Sequence, residues 1–419
     1  MSKPISLLLL GLGGALMAGW TAPLRAQAPP ETPRGWQASG QLLQGYDSNI
    51  FLTLAQPQAD STTQVRLSLA RHWGGPHWSF TAAYTPQGFA YAAHSRLDYL
   101  AHAYQQDWIY GLGPHTQLHW TVNAERYPER GASPQIGDGL AAVAVASQVL
   151  ALETVLTGAQ TSLTLSHQSS PRSTWTAGGV GALQAFRPDT ALLNQASPSF
   201  SESALRAQSR SGGGNVAWSY ELRPERTLQL SALDNEMWFT NPYQRLRFAD
   251  ALVSIQQQLG GSVTLQLGAG PSWTWVLRNA NGATAGNLPG QSYAANASLT
   301  KHQGHGQYGL TWQHADQMGL VPGGVTTDLL AVQYQWQSGH WSAAVSAGRS
   351  SFAGAGGGSA AQNSLYAAGQ LSYQVGAECW LRVSSSLNAQ AVPLGFGTTG
   401  NLRRSQVSLG IVYQPWGAH

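Results

Sequence analysis

The chain has 419 residues, and only 10% of them are Asp, Glu, Lys or Arg, against roughly 25% in ordinary soluble domains. Lysine occurs only as Lys3 and Lys301, whereas there are 48 Gly, 16 Trp and 15 Tyr. No basic stripe indicates a nucleic-acid partner, and the single cysteine, Cys379, excludes a disulfide framework and a metal site built from four thiolates.

The first 28 residues have the layout of a secretory signal peptide. Lys3 supplies the positive charge, an apolar stretch follows, and Ala26-Gln27-Ala28 provides the small-x-small pattern that a signal peptidase cleaves. Removing Lys3 and Arg25 from the 22 basic residues leaves 20 against 19 acidic ones, so the mature protein is nearly neutral. No later apolar run reaches about 18 residues, so the sequence predicts no membrane-spanning helix.

Apolar and polar residues alternate over long stretches of the mature chain. The clearest stretch is SVTLQLGAGPSWTW, residues 262–275, in which every odd-numbered residue is apolar and every even-numbered one is Ser, Thr, Gln or Gly. Residues 118–125, 330–337 and 406–413 have the same period of two. Since successive side chains of a strand point to opposite faces, each stretch predicts a strand with one apolar and one polar face.

Short turn signals rich in Gly and Pro join these strands in pairs. Eight of them occur, at residues 74–77, 112–115, 170–172, 223–226, 259–261, 303–306, 337–340 and 375–378. Longer irregular segments separate the hairpins, such as 129–159, 188–212 and 353–363. Eight hairpins, one strand before them (36–46) and one after them (404–413) predict about 18 strands, within a range of 16–20.

Two all-β architectures compete for this pattern. Strands of a soluble propeller or sandwich average about 5–6 residues, whereas these run to about 10–12, close to what a tilted strand needs to cross hydrocarbon. An open sheet edge is not viable in lipid, so the sheet must close. We therefore predict an all-β fold, a closed antiparallel up-and-down transmembrane β-barrel with short periplasmic turns and long extracellular loops. A secreted propeller is the alternative.

The predicted domains follow from these boundaries. Residues 1–28 form the signal peptide, 29–35 a short periplasmic N-terminal segment, and 36–419 the outer-membrane barrel.

The stretch QGYDSNIF, residues 44–51, ends the first strand and opens the first outer loop. Asp and Asn are favoured at such positions because their side chains bond nearby backbone groups. Asp47, two residues before Asn49, has the spacing of a Ca²⁺ ligand pair, but the rest of an EF-type loop is absent. The sequence favours a turn and predicts neither a metal nor a cofactor.

The entry GYDSNIF, residues 45–51, and the hairpin LSHQSSPRSTWTAGG, residues 165–179, resemble an outer-membrane β-barrel family of Gram-negative bacteria often labelled β-barrel porin type 2. Its members include barrels encoded with exopolysaccharide secretion machinery. The resemblance implies an outer-membrane location, a porin-like or export-associated role, and no catalytic residues. One departure is the end of the chain, YQPWGAH, where such barrels commonly finish on an aromatic residue.

The partners expected for such a barrel are outer-membrane lipids and lipopolysaccharide, the barrel-assembly machinery and, for an export component, a polysaccharide. A homotrimer is a further expectation, although no stretch of the sequence indicates an interface.

Two local pairings contain the residue types of a catalytic dyad, His167 with Ser169 and His314 with Asp316. Residues two apart share one face of a strand. Catalysis also needs a third orienting group and an oxyanion site, and the sequence shows neither. We interpret both pairs as lumen or turn residues, and His302, beside a glycine turn, as a turn residue rather than a metal ligand. The protein is predicted not to be an enzyme.

The predicted polar faces are mostly neutral. They carry Ser, Thr, Asn and Gln, with a few charges at Arg66, Glu125 and Arg382. Rings of charge set ion selectivity in pores, so their scarcity predicts weak selectivity, and amide and hydroxyl groups suit hydroxyl-rich solutes such as sugars. The residues predicted to face the lumen and contact a solute are Gln266, Gln333, Gln335 and Arg382; the alternative is that they only form the wet wall of the barrel.

The function predicted from the sequence is a passive outer-membrane channel for small polar solutes. Two alternatives remain open: an outer-membrane component of exopolysaccharide export or assembly, and a non-conducting surface-structural barrel.

Overall fold

The structure is a computed structural model that describes residues 35–50, 57–129, 154–188, 208–240, 243–278, 290–317, 325–354, 362–395 and 398–414. The described residues form 18 strands and one 3-10 helix at Ser95–Leu97. The strands are β1 Gly35–Asp47, β2 Asp60–Gly75, β3 Trp78–Tyr91, β4 Tyr99–Gly113, β5 Thr116–Glu129, β6 Thr154–Ser170, β7 Ser173–Pro188, β8 Gln208–Arg223, β9 Arg226–Thr240, β10 Tyr243–Leu259, β11 Val263–Arg278, β12 Gly290–Gln303, β13 Gly306–Gln317, β14 Val325–Ser338, β15 Trp341–Gly354, β16 Gln362–Gly376, β17 Cys379–Gly395 and β18 Thr398–Tyr413. The predicted signal peptide lies outside the described residues.

The 18 strands form one antiparallel sheet that closes on itself. Each strand pairs with the next along the chain, and β1 pairs with β18 from Gly40 opposite Tyr413 to Asp47 opposite Gln406. The sheet does not divide into separate blades, so the propeller alternative is wrong and the closed up-and-down barrel is confirmed.

All eight predicted hairpins are present, each joined by a short turn at the same end of the barrel. We call this the turn end, and the opposite end the loop end. Gly260, Gly304 and Gly339 in three of these turns have φ between 55° and 59°, a left-handed conformation that glycine adopts at little cost. Gly35 and Tyr413 also lie at the turn end, as an even strand number requires.

Most strands are longer than predicted: β13 has 12 residues, β1 has 13, and the others have 14–17. The additional residues come from the segments predicted as loops, because β6, β7 and β8 extend into 129–159 and 188–212. Two loop-end connections are also only two residues long, at 241–242 and 396–397. Long extracellular loops are therefore not uniform around the rim.

The two faces of the sheet differ as the alternation predicts. In β6 the exposed Thr161, Leu163 and Leu165 alternate with the half-buried Ser162 and Thr164. Antiparallel residues directly opposite each other share a face, so the register propagates this assignment from strand to strand around the barrel. The apolar set points outward and the hydroxyl and amide set points to the interior.

Candidate functional site: the interior wall of the barrel

The outer face carries a continuous band of exposed apolar side chains. Leu67, Val216, Val253 and Leu409 are 53–58% exposed, and similar residues occur on almost every strand. A monomeric protein in water rarely exposes so large an apolar surface. The band requires hydrocarbon around it.

Aromatic rings border the band near the turn end. Trp73, Phe80, Trp108 and Trp120 follow one another across four strands at centroid distances of 4.9, 4.2 and 6.3 Å. The same girdle continues in the contacts Trp175–Trp218, Tyr308–Tyr334 and Trp341–Tyr373. Rings with a polar tip suit the interface between lipid and water.

A smaller set of aromatic residues marks the loop end of the band, with Trp238 on β9 and Trp273 and Trp275 on β11. Tyr84 lies away from both sets, in the middle of β3, opposite Leu69 and Tyr104. Its ring faces outward within the apolar band.

The predicted lumen residues lie on the inner face. Gln266 is opposite Ser298, Gln333 and Gln335 are opposite Ser346 and Ala344, and Arg382 is opposite Ser372. They lie on β11, β14 and β17, so neighbouring groups are three strands, or a sixth of the circumference, apart, and the outer two are a third apart. They do not form one cluster, and a solute contact by any of them stays a prediction.

Exposure along the inner face changes from one end to the other. Toward the turn end the inner side chains are partly exposed, as at Thr121, Thr164, Gln266, Gln333, Gln370 and Ser384. The buried polar side chains other than Ser254 and Ser372 lie in the loop halves of their strands or next to them. The inner wall is therefore accessible near the turn end and densely packed near the loop end.

A buried ion pair lies at the loop end of the closing seam between β1 and β18. The Arg404 guanidinium donates to Asp47 through Nε at 2.9 and 3.1 Å and through Nη2 at 2.5 Å. The exposed fractions of the two side chains are 4% and 2%. Gln406 Nε2 donates to the same carboxylate at 3.0 Å, so the charge of Asp47 is compensated within the wall.

The rest of the QGYDSNIF stretch extends this seam by two residues. The amide of Ser48 donates to the carbonyl of Ser405 at 2.9 Å, and the amide of Ser405 donates to Ser48 Oγ at 2.8 Å. Asn49 donates through Nδ2 to the Arg403 carbonyl at 3.1 Å. The Asp-Ser-Asn cluster fastens the first strand to the last.

Side-chain contacts also hold the described part of the rim next to the seam. Asp60, the first residue of β2, accepts hydrogen bonds from the amides of Ser61 and Ala93 and from His94 Nδ1, at 2.7–3.1 Å. Next to it, Ile50, Tyr91 and Leu97 form a buried apolar cluster with Phe89 and Tyr99. These contacts hold the rim over β1–β4 in place.

Of the two candidate catalytic pairs, His167 and Ser169 each contact other residues, and the side chain of Asp316 lies outside the described part of the chain. His167 Nδ1 lies 2.9 Å from Thr116 Oγ1, and His314 Nδ1 lies 2.6 Å from Asp328 Oδ1. Both histidines face outward, which corrects their interpretation as lumen or turn residues. Among the described residues no group of three His, Cys, Asp or Glu side chains has the arrangement of a metal site.

The Asp47–Arg404 pair is the feature of the wall that the sequence analysis missed. The residues are 357 positions apart, and each lies near the loop end of its strand, among the alternate residues that form the polar face. Closure of an 18-stranded sheet makes their strands neighbours. The pair could therefore have been predicted by combining the polar-face position of each residue with the pairing of the first and last strands.

Neither the known protein-family profiles nor the curated protein sequences contain a match to this chain. Among solved structures it is similar to the outer membrane protein OpdK from Pseudomonas aeruginosa, with 14% identity over 91% of this chain and 98% of that one and a TM-score of 0.45. It is also similar to the FrpB iron transporter (F5-1 variant) from Neisseria meningitidis, with 8% identity, coverage of 91% and 81%, and a TM-score of 0.49. It is similar as well to the siderophore receptor PirA from Pseudomonas aeruginosa, with 8% identity, coverage of 91% and 81%, and a TM-score of 0.46. At these identities and TM-scores none of the three assigns a role to this chain.

No helix within the described ranges has the length and apolarity to cross a bilayer. The strands have the required form: one closed sheet, an apolar outer band, and aromatic residues at the edges of that band. Closure leaves no unpaired backbone edge in hydrocarbon, and this combination is that of outer-membrane barrels. The protein is an outer-membrane β-barrel, and in such barrels the short turns lie on the periplasmic side.

Proposed function

We propose that this barrel is a passive channel for small polar solutes. The observation that supports the proposal most directly is the neutral polar inner wall near the turn end, where Gln, Asn, Thr and Ser side chains are partly exposed rather than packed. Barrels of 16–18 strands enclose an aqueous channel unless something fills them. A wall of amides and hydroxyls stabilises water and hydroxyl-rich solutes by hydrogen bonding.

Charge on this wall is sparse and partly compensated. Asp107 accepts a hydrogen bond from His119 Nε2 at 2.8 Å, and Asp47 is paired with Arg404. The remaining inner charges include Arg66 and Arg382, and they do not form a ring. Weak discrimination between cations and anions follows from this distribution.

We place the narrowest part of the channel in the loop half of the barrel. Thr327 and Ser350 lie on the inner face there and are 3% and 0% exposed, whereas Gln333, on the same strand and face as Thr327, is partly exposed. A solute entering from outside therefore meets the packed region first and the wider polar region afterwards.

The same burial supports a second candidate, a surface-structural barrel that does not conduct. If the packing near the loop end closes the lumen completely, the inner amides toward the turn end form only a wet wall. The export or assembly of an exopolysaccharide rests on the sequence resemblance, and no contact among the described residues favours it over the channel.

The channel predicts a defined electrical signature in planar bilayers. The reconstituted protein is expected to give single-channel steps with weak ion selectivity. Replacing three inner-wall amides in Gln266→Glu/Gln333→Glu/Gln335→Glu should shift the reversal potential toward cation selectivity, because added inner charge acts directly on passing ions.

Gln257→Glu is the matched control, because Gln257 lies on the outer face opposite Leu265 and accepts a hydrogen bond from Arg226. It should leave the reversal potential unchanged. Folded protein that gives no steps would exclude the channel and favour the structural barrel.

Cysteine accessibility tests the position of the narrow region. In a Cys379→Ser background, Gln333→Cys should react with a membrane-impermeant, hydrophilic thiol reagent on the order of tenfold or more faster than Thr327→Cys, because thiol reactivity follows exposure. The two positions share strand β14 and its inner face, so they differ mainly in burial. Equal rates at both positions would contradict a constriction in the loop half.

A further inference from the structure

The hairpin β9–β10 reverses the polarity of the barrel near the loop end. Its inner face there carries Met237, Phe239, Leu246 and Phe248, which are 0–8% exposed and pack together with Val276. Its outer face at the same height carries charged side chains. The apolar and charged faces are therefore the opposite of those in the membrane band below.

The outward charges form an ordered group. Arg247 donates through Nε to Asp234 Oδ1 at 2.8 Å and through Nη2 to Oδ2 at 2.5 Å, and its guanidinium lies 5.4 Å from the ring centre of Trp275. Arg245 pairs with Glu236 through a single contact between Nε and Oε1. The Asp234 carboxylate occupies one edge of the Arg247 guanidinium and fixes its plane.

A third arginine adds net positive charge to this group. Arg210 on β8 lies opposite Trp238 on the same outer face, and its side chain is exposed. No acidic partner binds it among the described residues, and its guanidinium is free to bind an anion. Three guanidinium groups against two carboxylates leave one net positive charge at the outer edge of the band.

We propose that Arg210, Arg245 and Arg247 bind the phosphate of an outer-leaflet lipid. The apolar band directly below, with Leu230 and Val253 exposed at 42% and 55%, receives the acyl chains, so the head group meets the arginines. Guanidinium matches phosphate with paired hydrogen bonds, and it does so better than ammonium. This proposal is independent of conduction, and it gives a location to the lipopolysaccharide contact expected from the sequence.

Charge elsewhere on the outer face agrees with this assignment. Three further exposed, outward arginines lie in the loop halves of their strands: Arg126, Arg349 and Arg403. Asp234 and Glu236 remain paired in the complex, so they orient the guanidinium groups without competing for the phosphate. An outer leaflet with phosphorylated head groups complements this rim.

Binding of bis-phosphorylated lipid A to the full-length barrel in detergent, measured by native mass spectrometry, tests the proposal. The variant Arg210→Gln/Arg245→Gln/Arg247→Gln should bind about tenfold more weakly, since it loses charge-assisted hydrogen bonds. Arg71→Gln should bind within about twofold of the wild type, because Arg71 lies at the turn end against Trp36 and Trp73.

The remaining arms identify the ligand and monitor folding. Lipid A without phosphates should bind the wild type as weakly as the triple variant binds lipid A, and millimolar inorganic phosphate should not displace lipid A. Heat-modifiable migration in detergent gels checks that the variants are folded, and a triple Lys variant should recover part of the affinity. Unchanged affinity for lipid A in the folded triple variant would overturn the proposal. It would also be overturned if the wild type were an oligomer and the triple variant a monomer, because the arginines would then contact a second copy of the chain.

Discussion

Replacing Asp47 by alanine is expected to lower the free energy of unfolding by about 3–5 kcal/mol, the cost of leaving one partner of a buried ion pair uncompensated. The carboxylate accepts three hydrogen bonds from Arg404 and one from Gln406, and both charged side chains are at most 4% exposed. Alanine leaves the Arg404 guanidinium buried at the seam where the barrel closes. Urea unfolding in lipid vesicles, followed by Trp fluorescence, measures the loss.

The outward pair of Asp234 and Arg247 provides the matched control. It has the same bidentate geometry, but its side chains are 50% and 48% exposed, and exposed pairs contribute about 0–1 kcal/mol. Asp234→Ala should therefore be close to neutral. The double variant Asp47→Leu/Arg404→Met should recover most of the stability, because replacing both charges by apolar groups removes the uncompensated charge. A loss for Asp47→Ala no larger than that for Asp234→Ala would contradict a structural role of the seam pair.

The transmembrane fold is predictable from this sequence because two local signals repeat many times. Period-two alternation, as in residues 262–275, determines which side chain faces lipid, and the eight short turns determine how the strands connect. Because the signals repeat, an error in the assignment of one strand does not change the predicted barrel. Closure then follows from the cost of an open edge in hydrocarbon.

The details at the loop end are not predictable in the same way, because they depend on residues far apart in the chain. His314 contacts Asp328, which is 14 positions away in the chain and directly opposite it on β14, since the strand register decides the partner. The strands also extend further than the alternation of apolar and polar residues predicts, because the alternation fades beyond the membrane, where both faces of a strand meet water or protein. The backbone hydrogen bonds between strands continue in this region although the residues no longer alternate in polarity.

The inner wall shows why fold and function separate in this protein. A barrel needs only apolar residues on its outer face to be stable in lipid. The inward-facing residues are therefore free to vary, and they carry little information about the fold. Its neutral amides and hydroxyls therefore bear on function, whereas the packed region near Thr327 and Ser350 decides whether that wall can be used. The two halves of the interior must be tested separately.

Replacing Gly270 by alanine is expected to lower the free energy of unfolding by about 3 kcal/mol, the upper range for an overpacked site. A Cβ at position 270 would fall within the van der Waals radius of the Ala251 carbonyl oxygen and press on Cα of Leu252. Both obstacles are backbone atoms of β10, so no side chain can turn aside. The two strands approach closely beside Pro271, which has no N–H for the ladder, and the register gives Ala251 and Leu252 no partner on β11.

Gly181→Ala is the control for this substitution. Gly181 is also a strand glycine, but a Cβ there meets its nearest atoms, Thr161 Cγ2 and the Ser211 carbonyl oxygen, at 3.8 and 3.9 Å, which is ordinary contact. Alanine also loses less conformational freedom than glycine on folding, by about 0.5–1 kcal/mol, so Gly181→Ala should be neutral or slightly stabilising. The unfolding measurement in lipid vesicles compares the two directly. If both variants unfold at the same urea concentration as the wild type, β10 and β11 are not held together by this close backbone approach.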